Sequence, residues 1–276
     1  MPFEIDDLHD AYLHYRRFVS HDHHRYHERY IFPFFAGSYF AYRMIDVARV
    51  VSIAYSISRE PTYIDVGCGY GDFLEKIREY LPTAVGIEKE GKIFYAFGRT
   101  KPDYIYATAV EWLENQNYDV AFVGWMEPGV DFRKNVAKIA RCIITTFDEG
   151  GQCGINGACE YEEYGYSKVA WWRAPSWIDV NTELMNRYYT QSSVLSEQDK
   201  HNLAEMRAAH NFWYVYAKPS IKKEVAANLK FFVAKESKSI SNRHFDFESV
   251  LDTCGFHYME KIPAIPHTRL WEIKFD

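Results

Sequence analysis

The sequence predicts an α/β fold, a three-layer sandwich on a mostly parallel seven-stranded sheet with its last strand antiparallel. N-terminal helices and an inserted lobe are expected to flank it. Three observations carry this. From residue 61, short apolar runs alternate with amphipathic segments over brief connections, the pattern of βαβ units. Three glycines, Gly67, Gly69 and Gly71, stand between the first such run and the first amphipathic segment. The C-terminal residues read as a helix and then two strands with IPH between them, an antiparallel hairpin.

The elements follow in order. Residues 1–60 look helical: Phe40, Met44, Val47, Val51 and Ala54 recur at spacings of three or four, and Pro33 and Gly37 separate this stripe from an earlier helix over 5–19. TYIDVG is a short buried strand. In GDFLEKIREYLP, Phe73, Leu74, Ile77 and Leu81 form a helix's inner face and Pro82 ends it. AVGIE is strand two, ending at Glu88, and GKIFYAFGRT a short helix. DYIYAT is strand three, AVEWLENQ a short helix, YDVAFVGW strand four, residues 131–141 a helix and RCIITTF strand five. FDFESVLDTCGF is the last helix, with FHYMEKIP and TRLWEIKF as the closing strands. Residues 150–244 are too long for a plain connection. They are expected to form an inserted substrate-side lobe, with a capped helix from Ser196 and an amphipathic helix in PSIKKEVAANLKFFVAKESK. The expected division is a helical lid over 1–60, a core over 61–149 and 245–276, and the lobe over 150–244.

Bulk composition narrows the function classes. Of 276 residues 47% are hydrophobic and 25% charged, which fits a folded soluble chain. The formal charge of −6 argues mildly against a phosphate-rich partner, since nucleic-acid binders are normally basic. Five cysteines, an odd number with no CxxC, argue against a disulfide framework or a zinc knuckle and fit a reducing cytoplasm. The acidic start MPFEIDDLHDAYLH has no apolar stretch of a signal peptide, and no run approaches a membrane span.

The glycine turn admits two guests. A dinucleotide fingerprint would place its third glycine at position 72, where the chain has Asp72. A pyrophosphate would then face Asp65 and Asp72 with no basic residue in the loop to offset them, and such repulsion grows in a partly dry site. The spacing is instead DxGxGxG.

The stretch DVGCGYG, with Glu88 ending the next strand, resembles the class I S-adenosylmethionine-dependent methyltransferases, a Rossmann-like family. The resemblance covers about residues 61–149 and 245–276. It implies that Gly67, Gly69 and Gly71 let the backbone pack on the cofactor, that Asp65 lies near its methionine end, and that Glu88 takes both ribose hydroxyls. It extends the cofactor-binding set to Cys68, Lys89, Thr108, Ala109, Gly124 and Trp125, and to Arg43 from the N-terminal helices. The chemistry agrees: this cofactor carries an ammonium and a sulfonium and no phosphate, and a carboxylate accepts well from two adjacent hydroxyls. The acid usual after strand three is missing here, where Thr108 and Ala109 stand.

By the same resemblance the end of strand four, GWMEPGVD, faces the methyl group. Glu127 is the candidate catalytic residue, orienting or deprotonating an acceptor, and Trp125, Met126, Pro128 and Tyr39 are candidate substrate contacts. The plainer alternative makes Trp125 core and Glu127 a solvated turn residue. GGQCG at 150–154 either shapes the pocket or acts as a hinge. His23 and His27, within HDHHRYH, share a helical spacing that suits a metal, but the segment is very polar and no cysteine is near, so no metal is expected. The expected activity is methyl transfer from S-adenosylmethionine, leaving S-adenosylhomocysteine, to a small-molecule acceptor. The alternatives are a protein or RNA acceptor, or a non-catalytic protein that binds the cofactor. An NAD-dependent oxidoreductase fails on Asp72 and the closing hairpin.

Overall fold

The structure is a computed structural model that describes residues 42, 44–91, 100–124, 126–127, 129–147, 153–155, 159–173, 196–198, 212–239 and 273–276. The described elements are α1 (Met44–Ile57), β1 (Tyr63–Val66), α2 (Asp72–Arg78), β2 (Val85–Ile87), β3 (Ile105–Tyr106), β4 (Tyr118–Gly124), α3 (Arg133–Ile139), β5 (Ala140–Phe147), β6 (Ser167–Arg173), β7 (Phe212–Ala217), α4 (Lys222–Ser239) and β8 (Lys274–Phe275). Two 3-10 turns, Val110–Leu113 and Glu162–Tyr164, lie between them.

One sheet runs through the molecule in the order β3-β2-β1-β4-β5-β7-β6-β8. The pairs β1–β2, β1–β4, β2–β3 and β4–β5 are parallel, whereas β7 is antiparallel to both β5 and β6. β6 therefore runs in the direction of β5. The carboxyl ends of β1, β4, β5 and β6 share one edge, where Phe147 pairs with Phe212 and Arg173 also pairs with Phe212.

Alternation along the strands builds three layers. Tyr63, Val120, Phe122, Cys142, Ile144, Trp172, Trp213 and Val215 belong to one buried cluster, which α1, α2 and α4 close with Val47, Val50, Ile53, Phe73, Leu74, Ile77, Val225 and Leu229. Ile64, Val66, Ala121, Val123 and Ile143 point the other way, where Val136 and Ile139 of α3 cover them. Phe73, Phe122, Trp213 and Trp172 form a chain of ring contacts through the first layer, centroids 4.7, 5.4 and 5.5 Å apart in turn.

The closing strands correct the expected layout. The antiparallel strand next to β5 comes from residues 212–217, and its partner from 167–173, so segment 150–244 supplies two strands of the main sheet. SKVAWWR and FWYVYA lack clean alternation because their rings fill one layer and line the other, which hid both strands within an aromatic-rich stretch. Of the expected C-terminal hairpin only Lys274–Phe275 is described. These residues pair with Ala170 and Trp171, so among the described residues the sheet has eight strands where seven were expected. The amphipathic helix is present as α4, with Ile221, Val225 and Leu229 buried. The 5–19 helix, the His21–His27 segment, the 92–99 helix and the 245–256 helix lie outside the described residues, as does most of the helix expected from Ser196. Among the described residues no helix is long and apolar enough to cross a membrane.

Candidate cofactor site at the carboxyl edge

The loop between β1 and α2 is set by its glycines. Gly67, Gly69 and Gly71 have φ of 73°, 55° and 84°, a region that penalises any side chain. The Gly67 and Cys68 N–H groups both donate to the Ile87 carbonyl, at 2.9 and 3.0 Å, which ties the loop to β2. The glycines differ in their surroundings. A Cβ on Gly71 would stand 2.4 Å from Ile105 Cδ1, so the end of that buried side chain would have to move to admit one. A Cβ on Gly67 would meet nothing within 4 Å, and Gly67 is exposed, leaving its backbone open to a ligand. Sequence reasoning gave all three the same task; the structure divides it. It also adds Gly86, whose Cβ would stand 2.7 Å from Leu74 Cδ2 and 2.8 Å from Cys68 Sγ. Its only sequence signal was a glycine inside a strand.

Glu88 follows the last residue of β2 and turns back over the loop. Its Oε2 accepts the Gly69 N–H at 2.9 Å and its Oε1 accepts the Glu90 N–H at 3.0 Å. A carboxylate has about four acceptor positions, so two remain for further donors.

Asp65 lies on the α1–α2 side of β1 and is 2% exposed. Burial raises its pKa well above the ordinary carboxylate range, and the Glu88 carboxylate adds to the rise. The Cys68 thiol is also pushed up, first by burial and then by Asp65 and Glu88, so it is no thiolate nucleophile. A buried carboxylate beside an open glycine backbone fits a ligand with a cationic end and suits a phosphate poorly. The residues present therefore fit the sulfonium cofactor.

The other expected contacts are distributed as follows. Thr108 and Ala109 are half-buried after β3, and Glu88 N–H donates to the Tyr106 carbonyl at 3.0 Å, which places them next to Glu88. Gly124 ends β4 opposite Thr146, and Lys89 is exposed. Met126 is 2% exposed and packs in the α3-side core. Glu127 is exposed at the carboxyl edge. Tyr39, Arg43, Trp125 and Pro128 lie outside the described residues.

The loop holding Glu127 is stitched to the segment after β5. The Gly154 N–H donates to the Met126 carbonyl at 3.1 Å, and the Gly129 N–H to the Gly154 carbonyl at 2.9 Å. Gly154 thus fixes the neighbouring loop, which goes beyond the expected hinge. Arg133 reinforces the seam. Its Nε and Nη2 donate to Asp131 at 3.0 and 2.8 Å, and its Nη1 donates to the Glu160 carbonyl at 2.9 Å. These bonds hold the Asp131 carboxyl below its ordinary range. Sequence reasoning did not find Arg133, which resembles any other helix-start arginine.

No family model matches the sequence, and a search of curated proteins returns no match. Solved structures are similar at low identity. The YcgJ protein of Bacillus subtilis has a TM-score of 0.43 at 10% identity, over 63% of this chain and 98% of that one. N-methyltransferase NodS of Bradyrhizobium japonicum WM9, solved with S-adenosyl-L-homocysteine, has a TM-score of 0.39 at 12% identity, over 64% and 87%. Magnesium protoporphyrin IX methyltransferase ChlM of Synechocystis PCC 6803, solved with bound SAM, has a TM-score of 0.40 at 12% identity, over 63% and 78%. Such scores add nothing to what the chain's own topology gives. Five parallel strands run in the order 3-2-1-4-5, β7 is reversed between β5 and β6, and the DxGxGxG turn follows β1, so the chain has a mostly parallel, Rossmann-like α/β fold.

Proposed function

We propose that the protein is an S-adenosylmethionine-dependent methyltransferase acting on a small-molecule acceptor. The observation that carries the reading is the pair of carboxylates around the open Gly67 backbone: Asp65 buried on one side, Glu88 held at 2.9 Å from the Gly69 N–H on the other. When bound, the cofactor supplies a methyl group on a positively charged sulfur. Asp65 and the loop backbone bind the amino-acid end. Glu88 accepts the sugar hydroxyls with its two remaining acceptor positions, and Thr108 and Ala109 border the adenine. Glu127 stands on the acceptor side and orients the nucleophile, or takes its proton where the acceptor must lose one. In-line displacement draws much of its rate from alignment, and the seam between Gly129, Gly154 and Arg133 supports a fixed acceptor-side loop. The net charge of −6 favours a small acceptor over nucleic acid.

Titration calorimetry with S-adenosylmethionine, S-adenosylhomocysteine and NAD tests the cofactor. Binding of NAD alone would overturn the reading. Formation of S-adenosylhomocysteine across a screen of small amines, phenols and acids tests the activity. Cofactor binding without turnover on any acceptor, including protein and RNA, would favour a non-catalytic role.

A further inference from the structure

The loop between β1 and α2 is costly to order. Glycine gives up more backbone freedom on folding than any other residue, and three of the five positions from 67 to 71 are glycine. The chain offsets that cost from one place, the end of β2. The Ile87 carbonyl accepts the N–H groups of Gly67 and Cys68, at 2.9 and 3.0 Å. The next residue, Glu88, takes the next N–H: its Oε2 accepts from Gly69 at 2.9 Å. Its Oε1 accepts the Glu90 N–H at 3.0 Å, which holds the carboxylate in place from the other side. Three consecutive loop N–H groups are thus bound by two consecutive residues of one strand end. The Gly71 N–H donates to the Cys68 carbonyl at 2.9 Å and closes the loop on itself. The grip at Gly69, where φ is 55°, comes from a side chain, so a substitution can remove it and leave the main chain intact.

We propose that Glu88 is a positioning residue as well as a ligand contact: it sets the glycine loop before the ligand arrives, so its effect on affinity reaches parts of the ligand that it does not touch. The inference rests on the cofactor reading above and deepens it by coupling the sugar end of the site to the amino-acid end. A loop already held in one shape spares the ligand the ordering of Gly69 and its neighbours. Without Glu88 that ordering falls to each binding event, whether or not the ligand has hydroxyls for a carboxylate to accept.

The test uses the full chain with S-adenosylhomocysteine and with an analogue of it that lacks both sugar hydroxyls. Amide hydrogen exchange at Gly69 is read by NMR in the ligand-free protein, and affinity by calorimetry. Glu88→Ala should speed Gly69 exchange about tenfold or more, as the loss of a hydrogen bond to a charged group implies. The Gly67 and Cys68 amides, held by Ile87, should change less. Glu88→Ala should also weaken binding of the hydroxyl-free analogue about fivefold or more, the cost of ordering one further residue. Glu88→Gln, whose amide oxygen still accepts from one N–H, should restore part of both. An analogue bound equally well by the wild-type protein and Glu88→Ala overturns the proposal, confines Glu88 to the hydroxyls and leaves the cofactor reading standing. Unchanged exchange at Gly69 overturns it as well. If the wild-type protein binds neither S-adenosylhomocysteine nor S-adenosylmethionine, the cofactor reading falls and the proposal with it.

Discussion

The indole N–H of Trp172 donates to Asp46 Oδ1 at 2.8 Å, joining α1 to β6 across 126 positions of sequence, and both residues are fully buried. The Arg49 guanidinium lies 5.0 Å from the Trp172 ring centroid, one turn along the same helix. The contact anchors the helix before the glycine loop to a strand that the sequence concealed. Replacing Trp172 by Phe keeps most of the ring but removes one donor from the buried carboxylate. Loss of a hydrogen bond to a charged group costs about 1.5–3 kcal/mol. Urea unfolding of Trp172→Phe should show that loss, and an Asp46→Asn, Trp172→Phe double mutant should lose less than the sum of the singles. Full additivity would show that the pair is not coupled.

Glu88→Ala removes an acceptor from the Gly69 N–H and from the sugar hydroxyls together. Affinity for S-adenosylhomocysteine should fall at least tenfold, as the loss of about 1.5–3 kcal/mol implies. Glu88→Gln should recover part of it, since an amide oxygen still accepts. Unchanged affinity in both would assign Glu88 to loop structure alone.

Gly71→Ala and Gly67→Ala should separate packing from ligand access. Both force a side chain into the left-handed region, a cost of about 1–2 kcal/mol. Gly71→Ala also meets Ile105 at 2.4 Å, so it should lose more stability, and Ile105→Val should restore some of it. Gly67→Ala, with open space around its Cβ, should lose less stability and more cofactor affinity. Thermal unfolding and calorimetry read the two effects separately.

Asp65 gives a pH dependence of stability in the ligand-free protein. Its folded-state pKa is raised, so between the unfolded carboxylate range and the folded pKa the native state holds the extra proton. Its contribution is therefore fully present below the unfolded value and is lost as pH rises through the folded one. Asp65→Asn should flatten that part of the profile and raise the ligand-free Tm at neutral pH, by about 2–4 °C for each kcal/mol gained. An unchanged profile would mean that Asp65 ionises in the native state at no cost.

Arg133→Lys keeps a charge but not the fork that reaches Asp131 and the Glu160 carbonyl together. Asp131 has its pKa depressed, so its contribution holds above the unfolded carboxylate range and is lost as pH falls through the folded value. Arg133→Lys should weaken that acid-range dependence and speed amide exchange at Gly129 and Gly154, with cofactor affinity unchanged. Equal exchange rates would show that the backbone bonds hold the seam unaided.

Residue order alone reached β1, β2, β4 and β5, because each is a short apolar run next to a glycine or a helix stripe. It also singled out Asp65 and Glu88, since a carboxylate beside a glycine turn has a chemical meaning of its own, and the structure puts Glu88 on the Gly69 N–H. It missed β6 and β7, whose aromatic residues pack on both faces and leave no period of two. It missed Arg133 as well, whose partners lie 2 and 27 positions away and converge only once two loops meet.

The sequence by itself determined the parallel half of the sheet and the site's acidic character, because hydrophobic period and glycine spacing are local properties of the chain. Tertiary structure alone decided which strands close the sheet, which glycine has open space beside it and which faces Ile105, and that Asp65 is buried. Those outcomes depend on distances between residues far apart in the chain, and on the loss of water around them.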